Sequence, residues 1–302
     1  MVEFEIKTYQ ENFIEDQVKI GTEASKGWMF QRQTPALRLK MLYSQPNFDP
    51  STKFYAFVKD EMVGFLTSNI QEDESGTKMA SCFLPLVKKG YEKAQRVLME
   101  HALKTLQEKG VTCVNTTLGE NWGNNAELLE EFGFKSTGIT FHLAEAEISK
   151  LDISKLPEPT DIEDYNQYRD SNDFISLMID IYGVPVDYAK QRVEQYNNRA
   201  VEGLITLVVT HKEGKTIAFC AANSSDTDPK VAGISTILTK TDKDIEDLRG
   251  QFLRYLIETC ADLGYEKVQF GVREVDLATR KEELSLLDLT PRPVIKAYTK
   301  EF

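Results

Sequence analysis

The chain repeats itself. The stretch KDEMVGF (Lys59 to Phe65) aligns with EGKTIAF (Glu213 to Phe219), 154 residues later, and the same spacing carries LMEHALKTLQEKG (Leu98 to Gly110) onto FLRYLIETCADLG (Phe252 to Gly264) without a gap. Continued at that spacing, VTCV from Val111 falls on YEKV from Tyr265, and the strand at Phe141 falls on Ile295. An ungapped register across strand, turn, strand, helix and strand marks a duplicated fold. A length of 302 residues accommodates two cores of ordinary domain size.

Each half reads alike. In the first, helical patterns run from about Glu15 to Trp28 and from Pro35 to Tyr43. Strands FYAFV and MVGFLTSNI follow, joined by the polar turn Lys59-Asp60-Glu61, a hairpin signature. A third strand passes through MASCFLPLV, and an amphipathic helix from about Tyr91 to Lys109 stops at Gly110. Then come the strand VTCVNTTL, the helix NNAELLEEF, and FKSTGITFHL, which is expected to close the sheet. Such alternation predicts an α/β fold, a mixed sheet covered by helices, in two tandem domains at 1–146 and 161–302. The proline-containing segment 147–160 is read as the linker.

Charge narrows the partners. The net charge of -12 repels phosphate backbones and anionic lipid, so neither nucleic acid nor membrane is expected as a partner. Residues 1–150 carry 17 Lys and Arg against 21 Asp and Glu, the remainder 19 against 27, so an anionic ligand would prefer the first half. The longest apolar runs, such as LITLVV, are strand-sized. MVEFEIKTYQ has no signal-peptide pattern, and a cytoplasmic location is expected. Cys82, Cys113, Cys220 and Cys260 show no CxxC spacing and read as reduced core thiols, with no disulfide and no metal.

The order of hairpin, third strand, long helix, fifth strand, short helix and Gly133-Phe134 resembles the Gcn5-related N-acetyltransferase family. In that family the long helix begins with a glycine-containing loop whose amides grip the diphosphate of coenzyme A, as a helix N-terminus with unpaired N–H groups can. The resemblance implies acetyl-CoA, or another acyl-CoA, as co-substrate. It places the thioester and pantetheine against the strand Ser81 to Leu86, with Phe83, Leu84 and Leu86, and the diphosphate against Lys88, Lys89, Gly90, Tyr91, Lys93 and Ala94. Glu92 stands where the family has its central glycine. In the fifth-strand loop, Asn121, Asn124 and Asn125 supply amides for the pantetheine arm, and Leu129 occupies the place of the family's tyrosine acid. The loop of the second half carries Asp242, Asp244, Glu246 and Asp247, a lining that repels phosphate, so this half is expected to bind no coenzyme.

The implied reaction is direct acyl transfer to the amine of a small molecule or peptide. Positioning and oxyanion stabilisation supply most of its rate, yet the amine must shed a proton. Glu120, after the fifth strand, is the candidate base. His101, His142 and His211 have no partner spacing that builds a triad, and Trp28, Phe30 and Tyr43 read as packing on the acceptor side. A monomer or a homodimer fits a duplicated chain. The second reading, favoured by Glu92 and Leu129, is an inactive relative that binds a metabolite or a protein. Other tandem relatives use aminoacyl-tRNA, which the charge disfavours, or acylate a thiol-bearing metabolite. The enzymatic reading makes two demands: the strands flanking the coenzyme must part, and Glu92 must stay out of the anion's place.

Overall fold

The computed structural model describes residues 3–29, 33–73, 75–198, 201, 203–225, 228–235, 237–239 and 245–302, with the side chains of 245–247 and 279 excepted. The chain forms two compact units, one of Met1–Ile139 with Val294–Phe302, the other of Thr140–Pro293. Unit 1 begins with β1 (Glu5–Thr8), α1 (Ile14–Ala24) and α2 (Ala36–Tyr43), then the hairpin β2 (Lys53–Val58) and β3 (Glu61–Glu72). It continues through β4 (Lys78–Cys82), β5 (Leu86–Val87), α3 (Lys93–Glu108), β6 (Val111–Gly119) and α4 (Asn125–Glu131). After β7 (Lys135–Glu147), unit 2 runs through β8 (Glu163–Asp164), α5 (Gln167–Tyr182), α6 (Val186–Asn197), β9 (Leu204–Lys212), β10 (Lys215–Ser224), β11 (Val231–Ile234) and β12 (Leu238–Thr239). It ends with α7 (Ile245–Asp262), β13 (Lys267–Arg273) and α8 (Leu277–Ser285), and the chain with β14 (Arg292–Glu301).

The duplication is visible strand by strand. Unit 1 orders its sheet β1-β2-β3-β4-β6-β14, and unit 2 orders its own β8-β9-β10-β11-β13-β7. One pair in each is parallel, β4 with β6 and β11 with β13. The hairpin turns hold the left-handed residues Lys59 (φ 57) and Glu213 (φ 52), and Gly110 (φ 79) and Gly264 (φ 85) end the long helices, each pair one repeat apart. These backbone conformations are uncommon outside glycine, so their recurrence reflects one inherited turn geometry.

One sequence expectation needs correction. FKSTGITFHL does not close the first half's sheet: Phe141–Glu147 pair antiparallel with β13 in unit 2, and Ile295–Glu301 pair antiparallel with β6 in unit 1. Each unit is therefore completed by the last strand of the other repeat, and the boundary falls inside β7 rather than at 147–160. Nor is 147–160 a bare tether. Leu156 is buried in the core of unit 2, with Ile148, Leu151 and Ile153 packed on the same cluster, and Arg254 donates to the Leu156 carbonyl.

In unit 1, α3 buries Ala94, Leu98 and Ala102, four residues apart, against Phe54, Ala56, Leu66 and Val114 of the sheet. The opposite face packs Phe13 and Ile20 on Tyr55, Phe57 and Phe65. Alternation along β2 feeds both cores, which fixes the strand's register.

Candidate functional site

In unit 1 the parallel strands part. The register of β4 with β6 runs from Lys78 and Val111 to Ser81 and Asn115 and ends there, while β6 continues to Gly119 along β14. Beyond β4 the chain leans towards β3: the Phe83 N–H donates to the Thr67 carbonyl at 2.9 Å, and Leu86 and Val87 pair with Phe65 and Gly64. A side chain at Gly64 would strike Val87 and the Leu86 carbonyl, so glycine is what lets β5 approach. The gap opens into a pocket of about 420 Å³ bordered by Thr67, Asn69, Ser81, Phe83, Asn115 and Thr117, and also by Cys82, Thr116 and Tyr298. Thr116 and Thr117 both border the pocket, at the edge of β6 that β4 leaves unpaired.

The amino end of α3 is not open. Gly90 adopts φ +90 in uncrowded surroundings, and its N–H donates to the Glu92 carboxylate at 2.8 Å. That hydrogen bond, with one from Glu92's own N–H, holds the carboxyl below its ordinary range. The turn does receive an anion, but the chain supplies it. Lys88 pairs with Glu61 at 2.7 Å and its N–H goes to the Val63 carbonyl, whereas Lys89 and Lys93 are exposed and form no ion pair among the described residues. The N–H groups of Tyr91 and Ala94 donate to the carbonyls of Lys88 and Tyr91. Ala94 is buried.

The loop after β6 is equally engaged. Asn121 accepts from the Met29 N–H (3.0 Å) and donates to the Gly27 carbonyl (2.8 Å), so both ends of its amide are spent on the segment after α1. The Trp122 indole donates to the Met29 carbonyl at 2.8 Å and stacks on Trp28 at 5.4 Å with a 6° interplanar angle. It lies over Gly119, where any side chain would collide with it, and 6.0 Å from Phe83. The buried indole thus spans the wide end of the gap. Asn125 donates to the Trp122 carbonyl, and Asn124 is exposed, ahead of α4, without a side-chain cap. Leu129 is core.

Of the residues singled out by sequence, Ser81 and Phe83 border the gap, and Leu84 and Leu86 turn into the core. Glu120 sits exposed just past β6, its N–H on the Val294 carbonyl. His101 packs edge-on against Phe54, His142 pairs with Glu274, and His211 donates to the Asp170 carboxylate at 2.9 Å. Tyr43 stacks on Phe48, while Phe30 lies outside the described residues. Cys82, Cys220 and Cys260 are buried, and burial pushes their thiols up, to about 12, 12 and 11, while Cys113 is only half-buried. Sequence reading missed Trp122, whose placement in a Gly- and Asn-rich turn was the available signal. It also missed Lys53, Asn69 and Thr116, whose neighbours come from other strands.

Unit 2 handles the equivalent position differently. Ser235 donates its N–H to Ala221, as Phe83 does to Thr67 at the matching place in unit 1. Arg280 of α8 reaches across to the Ser235 carbonyl at 3.1 Å and pairs with Glu283, which also meets Arg249 at 3.1 Å. Arg280 is fully buried, and at its place in unit 1 stands Ala126. Asp242 and Asp244 lie outside the described residues, as do the side chains of Glu246 and Asp247.

A duplicated mixed sheet whose parallel strands part in each unit is the architecture against which known proteins can be compared. The sequence matches no family model and no curated protein. Among solved structures, the chain is similar to a tandem GNAT protein from the clavulanic acid biosynthesis pathway over 99% of this chain and 98% of that one, at 14% identity and a TM-score of 0.64. It is similar to a GNAT-family acetyltransferase from Colwellia psychrerythraea over 99% of each chain, at 15% identity and a TM-score of 0.60. A Gcn5-related N-acetyltransferase from Sphaerobacter thermophilus aligns over 99% of this chain and 95% of its own, at 10% identity and a TM-score of 0.56. The chain has the tandem Gcn5-related N-acetyltransferase fold. Among the described residues no cluster suits a metal ion, and no helix is long and apolar enough to cross a membrane.

Proposed function

We propose that the chain is an acyl-CoA-dependent N-acyltransferase whose donor enters unit 1 at the parted strands, with a small-molecule or peptide amine as acceptor. The observation that carries this reading is the gap after Ser81 and Asn115, which opens into the pocket. The turn before α3 supports it, because Glu92 already stands in for an anion at the Gly90 N–H. When bound, the coenzyme would supply the activated acyl carbonyl. Gly90 and its neighbours would hold the diphosphate once Glu92 swings away, with Lys89 and Lys93 adding charge. The unpaired strand edge past Ser81 would orient the donor, and Glu120 or a water would take the proton that the amine loses. A cytoplasmic location accords with this role.

A second reading, a non-catalytic binder of a small metabolite, is favoured by two observations. Glu92 occupies the anion's place, which fails one demand set by the sequence, and Trp122 spans the gap that pantetheine would thread. Calorimetric titration with acetyl-CoA separates the two. The first predicts saturable heat, strengthened on the order of tenfold by Glu92→Gly, which removes one charge-assisted hydrogen bond's worth of competition. It also predicts weakening by Lys89→Glu with Lys93→Glu. Absence of heat and of thermal stabilisation in both the wild type and Glu92→Gly would leave the second.

A further inference from the structure

The pocket in unit 1 has a lining that its surroundings do not lead one to expect. In a chain of net charge -12, no Asp, Glu, Lys, Arg or His among the described residues borders it. Its floor is a polar row across four strands, Asn69 of β3 opposite Ser81 of β4, Ser81 beside Asn115 of β6, and Asn115 opposite Thr299 of β14. An acceptor recognised by its ammonium group would call for a carboxylate here, and one recognised by a carboxylate would call for a cation, since a charge without a partner is costly to desolvate. Hydroxyl groups have no such requirement.

Two details fix what the pocket presents. Lys53, 3% exposed, places its ammonium group on the Thr52 hydroxyl (3.0 Å), the Ser68 carbonyl and the Asn69 side chain (2.9 Å). An ammonium group can only donate, so Asn69 must turn its oxygen to Lys53 and keep its NH₂ for the pocket. All three lysine protons are spent in this way, so Lys53 orients Asn69 without offering a charge to a ligand. Thr116, only 8% exposed, also borders the pocket, and its hydroxyl is buried behind that border without a hydrogen-bond partner. A buried hydroxyl left unpaired is uncommon and costs free energy until something pairs with it.

We propose that this pocket binds an uncharged, hydroxyl-rich small molecule of the sugar or polyol class. Asn69 is the donor to one of its oxygens, the Ser81 hydroxyl and the Asn115 amide are the neighbouring polar contacts, and Lys53 is a positioning residue that sets the Asn69 amide. Read together with the proposed function, the pocket makes the acceptor an amine that carries hydroxyl groups and enters as its neutral free base, and this step rests on that reading. The binding site itself does not.

Saturation-transfer NMR on the full chain tests this with D-glucose and D-sorbitol as neutral probes, and acetate and putrescine as charged ones. Saturable transfer to a neutral probe and not to the charged ones is expected. Ser81→Ala, a change at an exposed position, should weaken it severalfold, and Asn69→Leu about tenfold, the size of one hydrogen bond to a ligand with the loss of its geometry. Lys53→Met should weaken binding although Lys53 does not border the pocket, and Lys53→Arg should restore part of it, which a purely structural role would not require. Preference for acetate or putrescine, no saturation by either neutral probe, or neutral binding indifferent to both Ser81→Ala and Asn69→Leu overturns the assignment. Titration with acetyl-CoA is a separate measurement, so a chain that binds a neutral probe but no coenzyme refutes the acyltransferase reading alone. One that binds coenzyme but neither neutral probe refutes this assignment alone.

Discussion

Lys53 makes a sharp prediction about stability. It is held in the sheet of unit 1 with its nearest carboxylate, Asp49, already paired to Lys109 at 3.1 Å. Burial pushes its ammonium group down from 10.5 to about 8. A drop of that size corresponds to about 3 kcal/mol of preference against the charged form. The sign follows from which state keeps the proton. Below pH 8 both states hold it, and Lys53 contributes no pH dependence. Between about pH 8 and pH 10.5 the unfolded chain keeps the proton while the folded chain sheds it, so stability rises with pH by up to about 3 kcal/mol. Tyr55 and Cys82, both pushed up by burial, act in the opposite sense over part of that range, so the wild type alone would mislead. Comparison with Lys53→Met removes their contribution. Both tryptophans, Trp28 and Trp122, belong to unit 1, so their fluorescence during urea unfolding reports on that unit alone. The wild type should gain about 3 kcal/mol relative to Lys53→Met on going from pH 8 to pH 10.5. A difference that stays flat across that window would mean that burial does not disfavour the ammonium group, and the reasoning from burial would fall.

Other consequences can be checked by similar means. Trp122→Ala removes a buried indole, its bond to Met29 and its stack on Trp28, and should destabilise unit 1 by about 3–5 kcal/mol in urea unfolding. If Trp122 is what blocks the gap, the same variant should bind acetyl-CoA more tightly than the wild type at a temperature where both are folded. In unit 2, burial pushes the Asp170 carboxyl up, but hydrogen bonds from Arg169, the Asn166 N–H, His211 and Thr216 outweigh it and hold it at about 2. Its stabilisation of about 2 kcal/mol is present above pH 4 and is lost as pH falls towards 2, and Asp170→Asn should flatten that limb of the acid-unfolding profile followed by circular dichroism. Glu283→Gln, which leaves Arg249 and Arg280 facing each other in the interior, should cost about 3 kcal/mol or more by the same method.

The two halves were legible in the sequence because their signals are local. A hairpin turn, a helix stripe and a terminal glycine are each decided within a few residues, and they recur 154 residues apart. The choice of closing strand is not local. β7 and β14 are copies of one strand, so the alternation that suits one to β6 suits the other, and nothing in either segment says which sheet it will join. The site divides along the same line. Lys88 to Ala94 could be found from the glycine turn and the helix start, but whether Glu92 would point away or fold back on Gly90 depends on a side-chain torsion. A carboxylate in the first turn of a helix commonly satisfies an open N–H, and that preference was the physical clue. Lys53, Asn69 and Thr116 sit on three strands, and only the sheet register brings Asn69 and Thr116 to one pocket and sets Lys53 against Asn69.

The duplicated scaffold also acts as its own control. In both units the chain after the parallel strand leans back to its antiparallel neighbour, through Phe83 on Thr67 and Ser235 on Ala221, so both begin with the same parted pair. Unit 2 then secures the opening with Arg280, a cation that is fully buried and committed to Glu283 and the Ser235 carbonyl. Withdrawing it to admit a ligand would uncouple a buried ion pair, which costs several kcal/mol. Unit 1 has Ala126 at that place, and its gap is lined instead by neutral hydroxyls and amides that exchange partners at little cost. This contrast is why the proposed ligand site is assigned to unit 1. Converting Ala126 to arginine would not transfer the lock, because Glu283 corresponds to Leu129, a fully buried core residue that offers no counter-charge. Ala126→Arg alone should leave neutral-probe binding intact, whereas Ala126→Arg with Leu129→Glu should abolish it if the paired charges are what shut the gap of unit 2.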